Sequence, residues 1–291
     1  MGRRARHRTR CALRLETLPG GHLRGACRRH GGRAVTAFRL TLRQVRYENT
    51  IFWRSAIAAF FTVAFPLLLL VIFNMLFGGG QLSAEGGAIS IATFYVPGIV
   101  GMAVIGACFT NIAMGVAISR DNGLLKRFRG TPLPSGSLLW GKILHSTLLA
   151  LGLVAIVVAA GALFYDVAVP SQTLPALIVA LGLGAATFCA LGVAMTVAIP
   201  SADAAPAIVN AVVLPLLFVS DLFIPMHNAP EWLNVLASVF PVRHFAQALH
   251  TAFNPYETGL GFAWLNLLAL AAWLAVGIVV ATRWFRWESR R

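Results

Sequence analysis

The chain has 291 residues, of which 58% are hydrophobic and only 12% charged, and its mean hydropathy is +0.75. Soluble domains carry roughly 25% charged residues, so a globule coated by water is excluded. The first 54 residues hold more than half of the 24 Lys and Arg behind the net charge of +14. The basicity therefore belongs to a leading segment and to loops, and nucleic acid is not expected as a partner.

Residues 1–35 are rich in Arg, Gly and His, with no helical stripe and no apolar run of the secretory kind. A disordered basic extension near anionic lipid is expected, with Val35 as one candidate for the natural start. From Thr36, Phe38, Leu42, Val45 and Phe52 recur at helical spacing, and Arg39, Arg43, Arg46 and Arg54 fall a quarter-turn or more round the helix. The pattern predicts an amphipathic helix lying in the membrane interface, apolar side toward the lipid.

Six long apolar stretches follow, at 56–77, 93–118, 139–164, 173–199, 206–224 and 262–284. A crossing helix needs about 20 apolar residues, and only helices or closed barrels satisfy their backbone in lipid. No period-two alternation is present. The expected fold is an all-α membrane protein with six transmembrane helices, an interfacial N-terminal helix, and one permease domain over 36–291. Pro66, Pro97 and Pro215 fall within or at the start of spans, where neighbouring helices compensate the lost hydrogen bonds.

The cations set the orientation. Arg120, Lys126, Arg127, Arg129 and Lys142 surround the second loop, and Arg283, Arg286, Arg290 and Arg291 close the chain; only Arg243 falls on the other side. An even span count with this asymmetry predicts a multi-pass protein of the cell membrane with both termini cytoplasmic. Trp53, Trp140, Trp284 and Trp287 then mark the inner interface, and Tyr95, Tyr165, Tyr256 and Trp264 the outer one. The outer loops at 78–92 and 165–172 read as short and polar. The stretch 225–260 holds Pro225, Pro230, Pro241 and Pro255 and predicts two short external helices between spans five and six.

Chemistry-bearing motifs are few. Gly136 to Ile143 approaches the phosphate-loop pattern G-x-x-x-x-G-K-[ST], but Ile143 stands where the Mg²⁺-holding hydroxyl belongs and no strand precedes it. Lys142 reads as an interface anchor. Neither H-E-x-x-H nor G-x-S-x-G occurs. His227, His244 and His250 are irregularly spaced, and Cys11, Cys27, Cys108 and Cys189 show no metal or redox spacing. No catalytic, metal or cofactor site is expected. Asn74, Thr110, Asn111, Asn210, Ser220 and Asp221 are polar groups within or beside spans. For Asp221, two readings stand: an exit or gate with Ser220 and Pro225, pairing with Arg243, or a carboxylate facing water at an exposed helix end. Gly98, Gly101, Gly106, Gly182, Gly184 and Gly192 read as sites of close helix packing.

The second cytoplasmic loop carries the most information. Arg120-Asp121-Asn122-Gly123-Leu124-Leu125-Lys126-Arg127-Phe128-Arg129 runs into Thr131-Pro132, where proline stops a helix. Leu124, Leu125 and Phe128 offer an apolar face, and Lys126, Arg127 and Arg129 a basic one, suited to a groove on a cytoplasmic partner.

This loop resembles the signature of ABC exporter permeases with the integral membrane type-2 domain: an acidic residue, Gly, a leucine-rich turn, then Thr-Pro. Val219-Ser220-Asp221-Leu222-Phe223-Ile224-Pro225, Pro230-Glu231-Trp232-Leu233 and Phe240-Pro241 are similar to the end of span five and the external helices of that family. The resemblance covers roughly 36–287. This chain departs from it where the family commonly has Glu, at Arg120 or Asp121, and where it commonly has Gly, at Asp221. The resemblance implies a permease subunit that exports a hydrophobic or amphipathic substrate and binds no cofactor of its own. It implies a second permease chain, homodimeric or similar, and a separate ATPase subunit holding ATP and Mg. Arg120, Asp121, Gly123, Leu124, Lys126, Arg127, Phe128, Thr131 and Pro132, with Arg39, Arg43 and Arg46 of the interfacial helix, are its expected coupling elements. The wording of the loop is nearest the multidrug-resistance branch. Two other classes fit the bundle: a non-transporting anchor or assembly factor, and an ion-coupled secondary transporter, for which Asp221 is the lone carboxylate within or beside a span.

Overall fold

The computed structural model describes residues 30–77, 80–84, 87–124, 136–167, 170–223 and 230–284. Among these, the regular structure is helical apart from one short hairpin. The helices are α1 (His30–Arg54), α2 (Ala56–Phe77), α3 (Ile91–Ile105), α4 (Asn111–Asp121), α5 (Gly136–Tyr165), α6 (Leu174–Met195), α7 (Ala205–Phe218), α8 (Glu231–Val239), α9 (Pro241–Phe253) and α10 (Trp264–Trp284). The hairpin pairs β1 (Gln81–Ala84) antiparallel with β2 (Gly87–Ser90), in register from Gln81 with Ser90 to Ala84 with Gly87. It occupies the first outer loop, read above as short and polar.

Among the described residues, five helices are long and apolar enough to cross a membrane: α2, α3 continued by α4, α5, α6 and α10. The fifth predicted span, 206–224, is instead the 14-residue α7. At 1.5 Å per residue it is about 21 Å long, short of the roughly 30 Å hydrocarbon core. It ends at Phe218 because the chain turns there, with Asp221 in the left-handed region at φ 61°.

Burial separates the centre from the rim. In their apolar windows, 61% of α3–α4 and of α6 is buried, against 11% of α2 and 17% of α10. The outer helices keep Phe60, Phe61, Phe65, Leu265 and Leu268 exposed, as lipid-facing surfaces must when no water drives them inward. Trp53, Trp140, Trp264 and Trp284 are exposed as well. The core is built from small and branched residues such as Val96, Val100, Ala113, Val116 and Ala117 around Phe188 and Phe245.

α3 and α4 are joined by a π-helical turn, Gly106–Thr110, which widens the helix without stopping it. A Cβ on Gly192 of α6 would stand 2.8 Å from the Phe109 carbonyl oxygen, so glycine lets α6 lie against this turn. Gly98 serves the same purpose against the Leu222 carbonyl, where any side chain would overlap it. Gly101 and Gly184 are close-packed too, against Leu222 and Phe245. Gly106 and Gly182 face open space, and close packing does not explain them.

α1 begins at His30, so the expected boundary between extension and domain at 35/36 falls inside a helix. Of the expected stripe, Val45 and Phe52 are sheltered by the bundle. Between Arg39 and Arg54, the sheltered residues are Leu40, Thr41, Gln44, Val45, Glu48 and Phe52, while Leu42 is exposed. The face against α5 is polar because Glu48 meets Lys142 of α5 at 2.9 Å, with Gln44 donating to Glu48. Arg39, Arg43, Arg46 and Arg54 share the exposed side.

Candidate coupling and gate sites

Two polar clusters stand at the two ends of α7. At its start, α4 delivers Arg120 and Asp121. Gly123, at φ 67°, lets the chain leave α4, and its N–H donates to the Arg120 carbonyl. Arg120 is 6% exposed. Its Nη1 donates to the Thr196 carbonyl at 2.9 Å and Nη2 to the Ile199 carbonyl at 2.5 Å. These carbonyls lie just past the end of α6, where a helix lacks internal partners and carries partial negative charge. The Asp121 carboxylate accepts from the Ala202 N–H at 2.6 Å and lies 3.7 Å from the Arg120 Nε. Consecutive residues of α4 thus hold the turn between α6 and α7.

Of the other expected coupling residues, Leu124 is partly exposed at the end of the described stretch. Lys126, Arg127, Phe128, Thr131 and Pro132 lie outside the described residues, as does Pro225. Lys142 sits within helix α5 rather than in a loop after a strand, so the sequence around it has no phosphate-cradling shape.

At the other end of α7, the chain turns through Ser220–Phe223. Ser220 is buried, its hydroxyl donating to the Leu217 carbonyl. The Asp221 carboxylate faces α9, whose residues 243, 247 and 250 share one face. Arg243 Nε stands 3.4 Å from its Oδ2, Gln247 Nε2 approaches the same oxygen at 3.5 Å, and His250 Nε2 meets the Asp221 carbonyl at 3.0 Å. Arg243 also donates to the backbone carbonyl and, at 2.8 Å, to the side chain of Asn234 on α8. One arginine therefore joins α8, α9 and the turn after α7. Asp221 is 17% exposed, so it pairs with Arg243 rather than standing free in water.

His244 and His250 diverge. His244 binds Asn266 and the Ser238 carbonyl, while His250 stacks on Phe94 at 4.7 Å. Among the described residues, no three His, Cys, Asp or Glu side chains come together as a metal would require. Cys108 and Cys189 are buried in the bundle. Asn111 bonds Ser146 across helices at 3.4 Å, and Asn74 bonds its own helix at the Leu70 carbonyl. An apolar groove of about 450 Å³ lies beside α7, lined by Val212, Val213, Leu216, Phe188, Phe240 and Trp273 among others.

Sequence reading missed Glu48 and the partners of Arg120. Glu48 had a visible signal, as the carboxylate of a helix otherwise rich in arginine. Thr196, Ile199 and Ala202 contribute backbone atoms, which no residue pattern reveals.

A bundle of membrane-length helices with a basic helix packed on it defines a multi-pass membrane protein. The chain belongs to the ABC-2 type transporter membrane family, whose pattern matches residues 40–254. It is 27% identical over 209 residues to the daunorubicin resistance ABC transporter permease of Streptomyces coeruleorubidus, a match that covers 68% of this chain and 70% of that one. It is an ABC permease subunit, a transport component rather than an enzyme, and a multi-pass membrane protein. Membership of the family implies a partnering ABC ATPase.

Proposed function

We propose that this permease exports a hydrophobic or amphipathic compound from the cell, driven by ATP hydrolysis on a separate ATPase subunit, with a second permease chain completing the pathway. The observation that carries the reading is the family match over residues 40–254, which runs from within α1 through the second loop to the end of α9. Six crossings with both ends cytoplasmic follow if α7 counts as the short fifth span, and this agrees with the placement of the cations. ATP and Mg belong to the partner; this chain holds neither. The name of the Streptomyces relative suggests an anthracycline-like cargo, and the apolar groove beside α7 has no feature opposed to one.

The ATPase docks at the loop from Gly123 to Pro132, through Leu124, Lys126, Arg127, Phe128 and Thr131, while Arg120 and Asp121, expected with them, turn toward the bundle. The exposed face of α1, with Arg39, Arg43 and Arg46, lies along the inner lipid interface beside it. Ser220, Asp221 and Pro225 form the exit side, where the Asp221–Arg243 contact acts as a gate. Affinity capture of the tagged chain from its native membrane, followed by mass spectrometry, tests this. A stoichiometric ATPase subunit is expected, lost when Leu124 and Phe128 are both changed to Asp. If the wild-type bundle came away intact with no ATPase in mild detergent, the exporter reading would fail.

A further inference from the structure

We infer that Arg120 and Asp121 are positioning residues that bind the end of α4 to the base of α7, so that the two move as one body during transport. This rests on the exporter reading above and adds the route by which a displacement of the second loop reaches the membrane interior. Both side chains were expected among the docking residues. Their geometry turns them the other way: Arg120 is buried, and Asp121 reaches the α6–α7 turn.

The clamp grips both sides of that turn. Arg120 holds the outgoing end of α6 at Thr196 and Ile199, and Asp121 holds Ala202, three residues before α7 begins. The turn is itself stitched. Thr196 Oγ1 donates to the Val193 carbonyl at 2.6 Å, the Ser201 hydroxyl accepts from the Ala204 N–H, and the Ala205 N–H donates to the Ala202 carbonyl. Ile199 and Ala205 are almost fully buried. A stitched turn held by charge-assisted bonds transmits displacement instead of absorbing it.

α7 beyond the clamp is free to respond. Its main packing is against α4 and the π-helical turn, and farther along the same face Val212, Val213, Leu216 and Leu217 border the groove. A pull at Ala202 would tilt the helix in the space beside it. A clamp serving stability alone would not need the turn and α4 to stay together through the cycle, and that is the point at which an experiment can separate the two roles.

The test uses the full chain with its ATPase in nanodiscs, its four native cysteines replaced by Ser. Hydrogen–deuterium exchange of peptides spanning 205–218 is compared with ATP and with ATP plus vanadate. The parent is expected to change exchange at least twofold on trapping. Asp121→Ala should lose that change while still binding the ATPase and hydrolysing ATP. Arg120→Lys should keep part of it, because a lysine restores the charge and one bond. In Asp121→Cys combined with Ala202→Cys, the reduced protein should behave like Asp121→Ala and the oxidised protein like the parent, since a covalent tie replaces the lost bond. Three results would overturn the inference: a normal response in Asp121→Ala, a cysteine pair that will not oxidise, or an oxidised pair whose response is suppressed. If Asp121→Ala fails to fold, the oxidised pair alone decides. A parent chain that captures no ATPase fails the exporter reading itself, which is a distinct outcome, and the inference falls with it.

Discussion

Removing either partner of the Asp221–Arg243 contact should destabilise the bundle by an amount that a double-mutant cycle can apportion. Arg243 Nε and Asp221 Oδ2 are 3.4 Å apart, which corresponds to about 5 kcal/mol of attraction at an effective dielectric of about 20. Desolvation of both groups, 15% and 17% exposed, offsets part of this. Asp221→Ala leaves Arg243 with the uncharged Asn234 acceptors, and Arg243→Ala leaves Asp221 with Gln247. Each single change should cost about 3 kcal/mol or more, and the double change should cost less than the sum by roughly 2 kcal/mol. Reversible unfolding of the purified chain in mixed micelles of increasing SDS fraction reads all four proteins. Because the pair is sheltered, raising NaCl to 1 M should change the coupling little. Additivity of the two single changes within about 0.5 kcal/mol would refute the argument.

Further expectations follow from the packing. Gly98→Ala drives a methyl into the Leu222 carbonyl and should destabilise by about 1–3 kcal/mol; Gly182→Ala, facing open space in mid-helix, should stabilise by about 0.5–1 kcal/mol in the same unfolding assay. Glu48→Lys should lower the thermal midpoint of the detergent-solubilised chain by opposing Lys142, and adding Lys142→Glu should recover most of the loss. Recovery no better than the single change would mean that α1 is held by its other contacts. Cys108 and Cys189 should resist N-ethylmaleimide until the chain is denatured, as intact-mass analysis before and after SDS would record.

The bundle was legible in the sequence because lipid imposes one simple rule, about 20 apolar residues per crossing; α2, α5 and α10 lie close to where that rule puts them. The rule fails where another constraint takes over. α7 stops at Phe218 although the apolar run continues, since the turn carrying Asp221 must meet α9. The contact of α1 with α5 was not legible, because Glu48 and its partner Lys142 lie 94 residues apart in the chain. β1 and β2 are four residues each, of Gln, Gly, Ala and Ser with only Leu82 and Ile89 as large apolar residues, too short to show an alternation. Arg243 could be proposed as a partner for Asp221 from their common side of the membrane. Arg120 could not be assigned, because its acceptors are backbone carbonyls more than seventy residues away.

The shortness of α7 gives the two polar clusters a common origin. If α7 is the short fifth crossing proposed above, its length of about 21 Å leaves its flanking turns some way inside a hydrocarbon layer of about 30 Å. There the backbone N–H and C=O groups have no water to turn to, and each left unmatched costs several kcal/mol. The Thr196, Ile199 and Asp221 carbonyls and the Ala202 N–H are among these groups, and Arg120, His250 and Asp121 are their partners. On this view the charged side chains stand in for a missing layer of solvent. Lengthening α7 by a turn would carry its ends toward water and make those charges dispensable, and thickening the bilayer would make the chain depend on them more.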